Sequence, residues 1–313
     1  MDDRRCAVEL ERYGPQAADV HLSIDEASTY CRHLASSHYE NFSVVSWLLP
    51  HHLRQHFCNV YAYCRWADDL ADEAGTPSER LELLDWWRTQ LLDCFNGSAK
   101  HPVFIAILPT IQQFSIPTQP FLDLIKAFER DQKQVRYATH DELLDYCRCS
   151  ANPVGHLVLH LGRCHSETNA SLSDSVCTGL QLANFLQDVA EDFSRGRIYL
   201  PQDVRDVFGY TEDCFERRVV DERWRALMKS EVERASEYLH RGRPLVDQLP
   251  KELRFQVELF IRGGLAILQA IRLARYDVWT RRPTVGKLTQ LKLASSCWLR
   301  QRVTGWRVPR DQG

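Results

Sequence analysis

The sequence predicts an all-helical protein folded as a single domain of about ten helices. Apolar residues recur with the helical period over long segments, whereas the alternating pattern of strands is nearly absent. Glycine, which would interrupt such segments, is scarce, with 14 in 313 residues. The expected helices cover residues 25–37, 53–74, 78–95, 102–114, 120–134, 140–164, 173–194, 219–246 and 250–278, with a weaker one at 285–302.

Local signals mark where several of these helices begin. Residues 23–26, 76–79 and 139–142 each place a hydroxyl residue three positions before a glutamate, the capping-box pattern. Pro77 stands where the first residue of a helix is expected. Because no Gly/Ser-rich linker divides the chain, we expect one helical domain at 23–280. An N-terminal extension at 1–22 precedes it, and a basic, Trp-containing tail at 281–313 follows it.

Composition excludes several classes of protein. With 44% apolar residues and a net charge of -3, the chain can fill a core and lacks the basic excess of many nucleic-acid-binding proteins. Its 11 cysteines are too dilute for a disulfide scaffold. No signal peptide and no apolar run of about 18 residues is recognisable, so we expect a cytoplasmic protein without a membrane span. The tail alternates basic and apolar residues, which suits either peripheral membrane contact or an ordinary surface helix.

A polar stripe crosses the otherwise apolar helix expected at 53–74. Tyr61, Arg65, Asp68 and Asp72 follow one another at i, i+4, i+7 and i+11, which places them on one line of the helix. Since a helix that is apolar all round is normally buried, this line would carry two carboxylates into the interior. Most single acid-rich patches are solvated helix faces, and that alternative holds for this stripe taken alone.

A second stripe follows the helix expected at 173–194. Gln181, Asn184, Asp188 and Asp192 fall at i, i+3, i+7 and i+11. The atoms of these side chains that can bind a metal ion are almost all oxygens. Buried carboxylates must be paired or must bind metal, and oxygen ligands select Mg²⁺ or Mn²⁺. Arg65 and Arg197 lie close in sequence to the two stripes and suit the anion that Mg²⁺ usually bridges. Two matched stripes therefore predict a site for Mg²⁺ and a diphosphate.

At these residues the sequence resembles the squalene/phytoene synthase family of head-to-head prenyl transferases, over about residues 25–280. The family carries two Asp-x-x-x-Asp helices, here Asp68–Asp72 and Asp188–Asp192. The second motif continues into Arg-Ile-Tyr-Leu-Pro at residues 197–201, and residues 146–155 resemble the family's Tyr-Cys…Val-Gly signature. The resemblance implies a helical bundle of the isoprenoid synthase type with a central apolar cavity.

The resemblance also implies roles for individual residues. The metal ligands are Asp68, Asp72, Asn184, Asp188 and Asp192, for Mg²⁺ or, as a second choice, Mn²⁺; these aspartates and Tyr146 are catalytic. The substrate-binding residues are His38, Asn41, Phe42, Tyr61, Arg65, Asn152, Gly155, Gln181, Asn184, Arg197 and Tyr199. A carbocation formed by loss of diphosphate would be shielded from water and stabilised by aromatic faces. Asn152, His38 and Tyr146 are alternative candidates for positioning a water.

Within the family, residues 38–42 and 150–155 look most like the bacterial hydroxysqualene synthase branch. This branch converts presqualene diphosphate and water to hydroxysqualene without NADPH, in squalene and hopanoid biosynthesis. Glu40 stands where members that couple two prenyl diphosphates commonly have an arginine. Gln187 replaces the usual basic or acidic residue before Asp188, and His156 stands where the branch has arginine.

Two alternatives remain from the sequence. One is synthesis of phytoene, dehydrosqualene or presqualene diphosphate from two prenyl diphosphates, and Glu40 argues against it. The other is a non-catalytic helical interaction protein of the same fold, and the intact acid stripes argue against it. We expect a prenyl diphosphate substrate, no nucleic-acid partner, and a monomer or weak homodimer.

Overall fold

The computed structural model describes residues 3–17, 21–37 and 49–286. Every regular element in this part of the chain is an α-helix, which confirms the predicted all-α class. The chain divides into two compact units. The first contains the described residues up to 135 together with 145–166, and the second contains residues 136–144 together with those from 167 onward. The predicted domain bounds at 23 and 280 stay a prediction.

The first unit is organised around one long helix. Its helices are α1 (Asp3–Tyr13), α2 (Ile24–Ser37), α3 (His51–Asp72), α4 (Pro77–Phe95), α5 (Pro102–Phe114), α6 (Gln119–Asp131) and α8 (Asn152–Leu161), while α7 (His140–Ser150) has residues in both units. The long helix α3 packs against α2, α4, α5, α6 and α8. Its polar face is thereby fixed by contacts on its other sides.

Aromatic rings fill the side of α3 that faces α4 and α5. Trp66 of α3 stacks on Trp87 of α4 with ring centroids 5.5 Å apart and planes at 11°. The imidazole of His101 meets both rings edge-on, at 4.5 Å from Trp66 and 4.9 Å from Trp87. Its Nδ1 accepts the Val103 N–H at 3.2 Å, which caps α5. Burial lowers the pKa of His101 to about 3, so the ring is neutral at ordinary pH.

The second unit depends on close backbone approach. Its helices are α9 (Glu167–Gln187), α10 (Val189–Ser194), α11 (Gln202–Val207), α12 (Glu212–Glu216), α13 (Glu222–Gly242), α14 (Leu245–Gln248) and α15 (Lys251–Leu273). The helices α9, α13 and α15 pack against one another. A Cβ added to Gly179 would lie 2.9 Å from the backbone nitrogen of Leu239, and one added to Gly242 would lie 2.7 Å from that of Val176. Only glycine therefore permits this spacing.

Most predicted helices agree with the observed bounds within a few residues, but two are interrupted. The segment 140–164 breaks at Ala151, because Pro153 in the first turn of α8 has no N–H to donate. The segment 173–194 breaks at Asp188. The helix α1 and the short helices α11, α12 and α14 were not expected. The predicted helix at 285–302 and nearly all of the basic tail lie outside the described residues.

None of the described helices combines the length and apolar character that crossing a bilayer requires.

Candidate active site

The first carboxylate set lies on α3. Pro50 precedes this helix, and the Glu73 N–H closes its last turn by donating to the Asp69 carbonyl at 2.9 Å. Buried apolar residues occupy the remaining faces of the helix: Leu53, Val60, Ala62, Tyr63, Trp66, Ala67, Leu70 and Ala71. Because those faces are fixed by packing, Arg65, Asp68 and Asp72 keep a defined place on the polar side.

The guanidinium of Arg65 lies among carboxylates of its own helix. It forms ion pairs with Asp68 at 3.1 Å, with Glu73 at 3.2 Å, and with Asp69. The Arg65 side chain is only 16% exposed. Burial raises the pKa of Asp69 to about 6, and the adjacent Arg65 opposes that rise. The predicted contact of Arg65 with diphosphate stays a prediction; in this structure the arginine neutralises three acids.

The carboxylates of α3 reach solvent. Asp68 is 44% exposed and Asp72 is exposed, so the expectation of a buried acid line is wrong at these positions. An ionised carboxylate keeps its hydration at little cost when it lies at the surface, whereas full burial would cost several kcal/mol. The oxygens of Asp68 and Asp72 are thus accessible to a ligand, and Tyr61, one turn before Arg65, is half-buried.

Tyr146 is held near the acidic end of α3 by contacts within the first unit. Its hydroxyl donates to Oδ2 of Asp131 at 2.9 Å, and the Arg130 guanidinium lies 5.6 Å from the centre of its ring. Gln132, next to Asp131, donates to the Ala71 carbonyl at 2.9 Å and so joins the end of α6 to α3. Sequence reasoning missed Asp131, since no spacing rule relates it to Tyr146.

Two further predicted residues begin α8. Asn152 and Gly155 are both buried in its first turn, in the unit that also contains Tyr146. The predicted substrate residues His38, Asn41 and Phe42 lie outside the described residues.

The second carboxylate set surrounds the interruption between α9 and α10. Asp188 leaves the helical conformation, with φ -104° and ψ 13°. Hydrogen bonding continues across it, because its N–H donates to the Asn184 carbonyl at 2.9 Å and its carbonyl accepts the Asp192 N–H at 2.8 Å. Burial, and then the charge of Asp188, raise the pKa of Asp192 to about 7. Asn184 is exposed and Gln181 is half-buried.

An arginine far along the chain contacts this second set. The Nε of Arg282 lies 2.5 Å from Oδ1 of Asp188, and its Nη2 lies 3.1 Å from Oδ2. Arg282 and Asp188 are 94 positions apart, so no sequence pattern connects them. By contrast, Asp68 and Asp69 follow Arg65 at i+3 and i+4, a spacing from which their contact could have been inferred. Glu73 lies two turns beyond Arg65, outside the reach of that rule.

The loop after α10 brings the last predicted residues to the same unit. The Arg197 N–H donates to the Asp192 carbonyl at 2.9 Å. The ring of Tyr199 stacks on Phe185 with centroids 3.9 Å apart and planes at 8°. Asp192, Arg197 and Tyr199 all line a cavity of about 10 Å³, enough for about one water.

The donor chemistry of both sets fits a hard divalent cation. Asp68, Asp72, Asn184, Asp188 and Asp192 offer oxygen ligands at half-buried or exposed positions, which suits Mg²⁺ or Mn²⁺. In the described part of the chain, no three His, Cys, Asp or Glu side chains already converge on one point. Guanidinium groups contact Asp68 and Asp188 instead, so a cation that binds these carboxylates must compete with them.

A family model described as squalene/phytoene synthase matches residues 35–289. The phytoene synthase of Arthrospira platensis is 34% identical over 289 residues, covering 87% of this chain and 93% of the relative. The 15-cis-phytoene synthase of a Synechocystis species is 32% identical over 311 residues, covering 95% and 91%.

Solved structures show the same relationship. The crystal structure of squalene synthase HpnC from Alicyclobacillus acidocaldarius is similar with a TM-score of 0.78 and 44% identity, covering 83% of this chain and 98% of that one. A dehydrosqualene synthase crystallised with a ligand has a TM-score of 0.81 at 23% identity, covering 90% and 98%, which shows a shared fold. The predicted isoprenoid-synthase bundle is confirmed by these similarities.

Proposed function

This chain belongs to the squalene/phytoene synthase family, whose members act on prenyl diphosphates, and on that premise we propose that it converts presqualene diphosphate and water to hydroxysqualene and diphosphate. The reaction would serve squalene and hopanoid biosynthesis. The observation that favours the squalene branch over phytoene synthesis is the 44% identity to a structure described as a squalene synthase, against 34% to a phytoene synthase. Within that branch, the likeness of residues 38–42 and 150–155 to hydroxysqualene synthases supports hydroxysqualene as the product. Glu40, where two-substrate members commonly have arginine, supports the same choice.

We propose Mg²⁺ as the cofactor, with Mn²⁺ as a substitute. Asp68 and Asp72 would bind Mg²⁺ on α3. Asn184, Asp188 and Asp192 would bind Mg²⁺ on the second carboxylate set. When bound, the metal neutralises charge on the diphosphate and so makes it a better leaving group. Arg65 and Arg197 are the arginines we propose to contact the remaining phosphate oxygens.

The carbon–oxygen bond to the diphosphate breaks with its electron pair on the leaving group, and a carbocation is left behind. Water then adds to one carbon of the rearranged cation and releases a proton, which gives an alcohol. No hydride is consumed, so we propose that NADPH is not required. The ring of Tyr146 is fixed through its hydroxyl by Asp131, which suits it to face a cation without moving. Asn152, buried at the start of α8, and Tyr146 are the described candidates for orienting the water.

One assay tests the proposal. Purified protein with Mg²⁺ is given presqualene, farnesyl or geranylgeranyl diphosphate in separate reactions, each with and without NADPH, and the extracted products are identified by mass spectrometry. We expect hydroxysqualene from presqualene diphosphate, with no dependence on NADPH. Squalene formed only with NADPH would reject the proposed reaction.

A second candidate reaction is favoured by the curated relatives. Two molecules of geranylgeranyl diphosphate would condense to phytoene, because the relatives named above are phytoene synthases that align with most of this chain. Phytoene from geranylgeranyl diphosphate in the same assay would establish this reaction in place of hydroxysqualene formation.

The place of action is a further part of the proposal. We propose a cytoplasmic enzyme that binds the inner face of a membrane reversibly, because its substrate is a lipid and its tail alternates basic and apolar residues. Cosedimentation with anionic vesicles should weaken when the chain is truncated after residue 286.

A further inference from the structure

The segment that follows α15 is fastened at its start by a tight turn. We call residues 277–286 the strap. Oδ1 of Asp277 accepts the N–H groups of Trp279 at 3.2 Å and Thr280 at 3.0 Å, and Oδ2 accepts the Thr280 hydroxyl at 2.7 Å. Three hydrogen bonds to one carboxylate fix the direction in which the strap leaves the helix.

The ring of Trp279 anchors the strap to the second carboxylate set. It is 7% exposed and lies 5.8 Å from Phe193, 5.6 Å from Phe215 and 5.6 Å from Trp224, measured between ring centroids. Phe193 follows Asp192 directly on α10. The anchor of the strap therefore rests on the same short helix that carries a predicted metal ligand.

A second anchor lies beside Asp188. Gln187 is 5% exposed, and its Nε2 donates to the Pro283 carbonyl at 2.5 Å. Its Oε1 accepts Nη2 of Arg282 at 3.2 Å. One buried amide thus binds both the backbone of the strap and its arginine. Removing this amide would leave the buried Pro283 carbonyl without its donor.

Between these anchors, Arg282 presents two nitrogens to the two oxygens of Asp188, at 2.5 and 3.1 Å. A guanidinium matches a carboxylate in this forked geometry, and both oxygens are then engaged. A divalent cation would bind the lone pairs of the same two oxygens. The guanidinium of Arg282 and a divalent cation therefore compete for Asp188.

We infer that Arg282 is a tethered cation that occupies Asp188 until a divalent metal ion displaces it, and that Gln187 is the positioning residue that holds it there. The inference rests on the proposed function, because it takes Asp188 as a metal ligand. Before loading, Arg282 reduces the repulsion between Asp188 and Asp192 and preserves their arrangement. On loading, only the arginine side chain has to leave, since the strap stays fastened through Trp279 and Pro283.

The test measures metal binding by the full chain without substrate. Mn²⁺ is titrated and the free ion is followed by electron paramagnetic resonance, for wild type, Arg282→Ala, Gln187→Leu and Asp188→Ala. The matched control is Arg281→Ala, which removes the same charge from the exposed neighbouring position. We expect Arg282→Ala to bind Mn²⁺ about 5-fold more tightly than Arg281→Ala, the size of a partly exposed ion pair. Gln187→Leu should tighten binding about 2-fold, because the arginine remains but is no longer held.

The outcomes separate this inference from the proposed function. If Asp188→Ala weakens Mn²⁺ binding while Arg282→Ala matches Arg281→Ala, the metal site stands and the tethered arginine is rejected. If Asp188→Ala binds Mn²⁺ as wild type does, the metal site itself is rejected and the inference falls with it. Unchanged affinity in Gln187→Leu, with tighter binding in Arg282→Ala, would reject the positioning role of Gln187.

Discussion

The two Asp-x-x-x-Asp segments share a motif and differ in how their charge is neutralised. On α3 the helix is continuous, and Arg65 of the same helix contacts Asp68. On the second set the helix is interrupted at Asp188, and the neutralising Arg282 comes from 94 residues further along the chain. The motif alone therefore does not determine the electrostatics of its carboxylates: one set carries a counter-charge in its own helix, and the other depends on tertiary structure.

The packing that holds α3 and α9, the helices that carry the two sets, differs as well. Against α3, Trp66 stacks on Trp87, and the ring of His101 meets both edge-on. Behind α9, glycine lets the Leu239 backbone approach to a distance at which no side chain fits. Aromatic packing tolerates adjustment of a ring, whereas a glycine contact is limited by backbone atoms. The second set should therefore be the more sensitive to small additions of volume.

The largest effect on activity should come from substituting the carboxylates themselves. Substituting one aspartate in each set tests whether the two sets contribute equally to catalysis. Asp68→Asn and Asp188→Asn should each lower kcat for diphosphate release at least about 100-fold, because each removes a charged ligand where negative charge develops on the leaving group. Diphosphate release from the accepted prenyl diphosphate is the measurement. Asp85→Asn, on the exposed face of α4, is the control and should retain activity. Near-normal turnover in either site variant would remove that helix from the catalytic site.

The part of this arrangement that sequence could predict is the local part. Both acid stripes and the all-α class follow from a 3.6-residue period, which local backbone geometry enforces. The break at Asp188 was missed, because apolar residues continue in phase on both sides of it. The contact between Arg282 and Asp188 and that between Tyr146 and Asp131 were also missed. These contacts depend on how distant segments pack, and no spacing rule covers such distances.

The second prediction addresses the internal counter-charge of α3. Arg65→Met should destabilise the protein by about 2 kcal/mol, less than the 3–5 kcal/mol of a fully buried pair, because it leaves Asp69 and Glu73 without their cation. Arg282→Ala, whose side chain is 50% exposed, should change the free energy of unfolding by less than about 1 kcal/mol. Urea unfolding of both variants without metal gives the comparison. Equal losses would contradict the distinction between an internal and a tethered cation.

The third prediction probes the close backbone contact behind α9. Gly179→Ala places a methyl group 2.9 Å from the Leu239 nitrogen and should cost about 2 kcal/mol of stability, as overpacking does. Gly263→Ala is the matched control, since a Cβ there meets nothing within 4 Å. Because alanine favours a helix over glycine, this control should be stabilised by about 0.5–1 kcal/mol. Thermal unfolding distinguishes the two; a tolerated Gly179→Ala would show that α13 can move away from α9.

The smallest effect concerns the pH dependence of stability and comes from His101, which packs against α3 and α4. The pKa of His101 falls from 6.5 to about 3 on burial, so the unfolded chain takes up a proton before the folded one does. Its stabilising contribution is complete above the unfolded pKa and is lost as the pH falls towards the folded one. Between about pH 7.5 and about pH 5.5, protonation of the unfolded chain should lower the free energy of unfolding of wild type by about 1 kcal/mol. His101→Gln should not show this loss. Hydrogen exchange should show this difference between wild type and His101→Gln in α3 and α5; the same slope in His101→Gln would assign the effect to other groups.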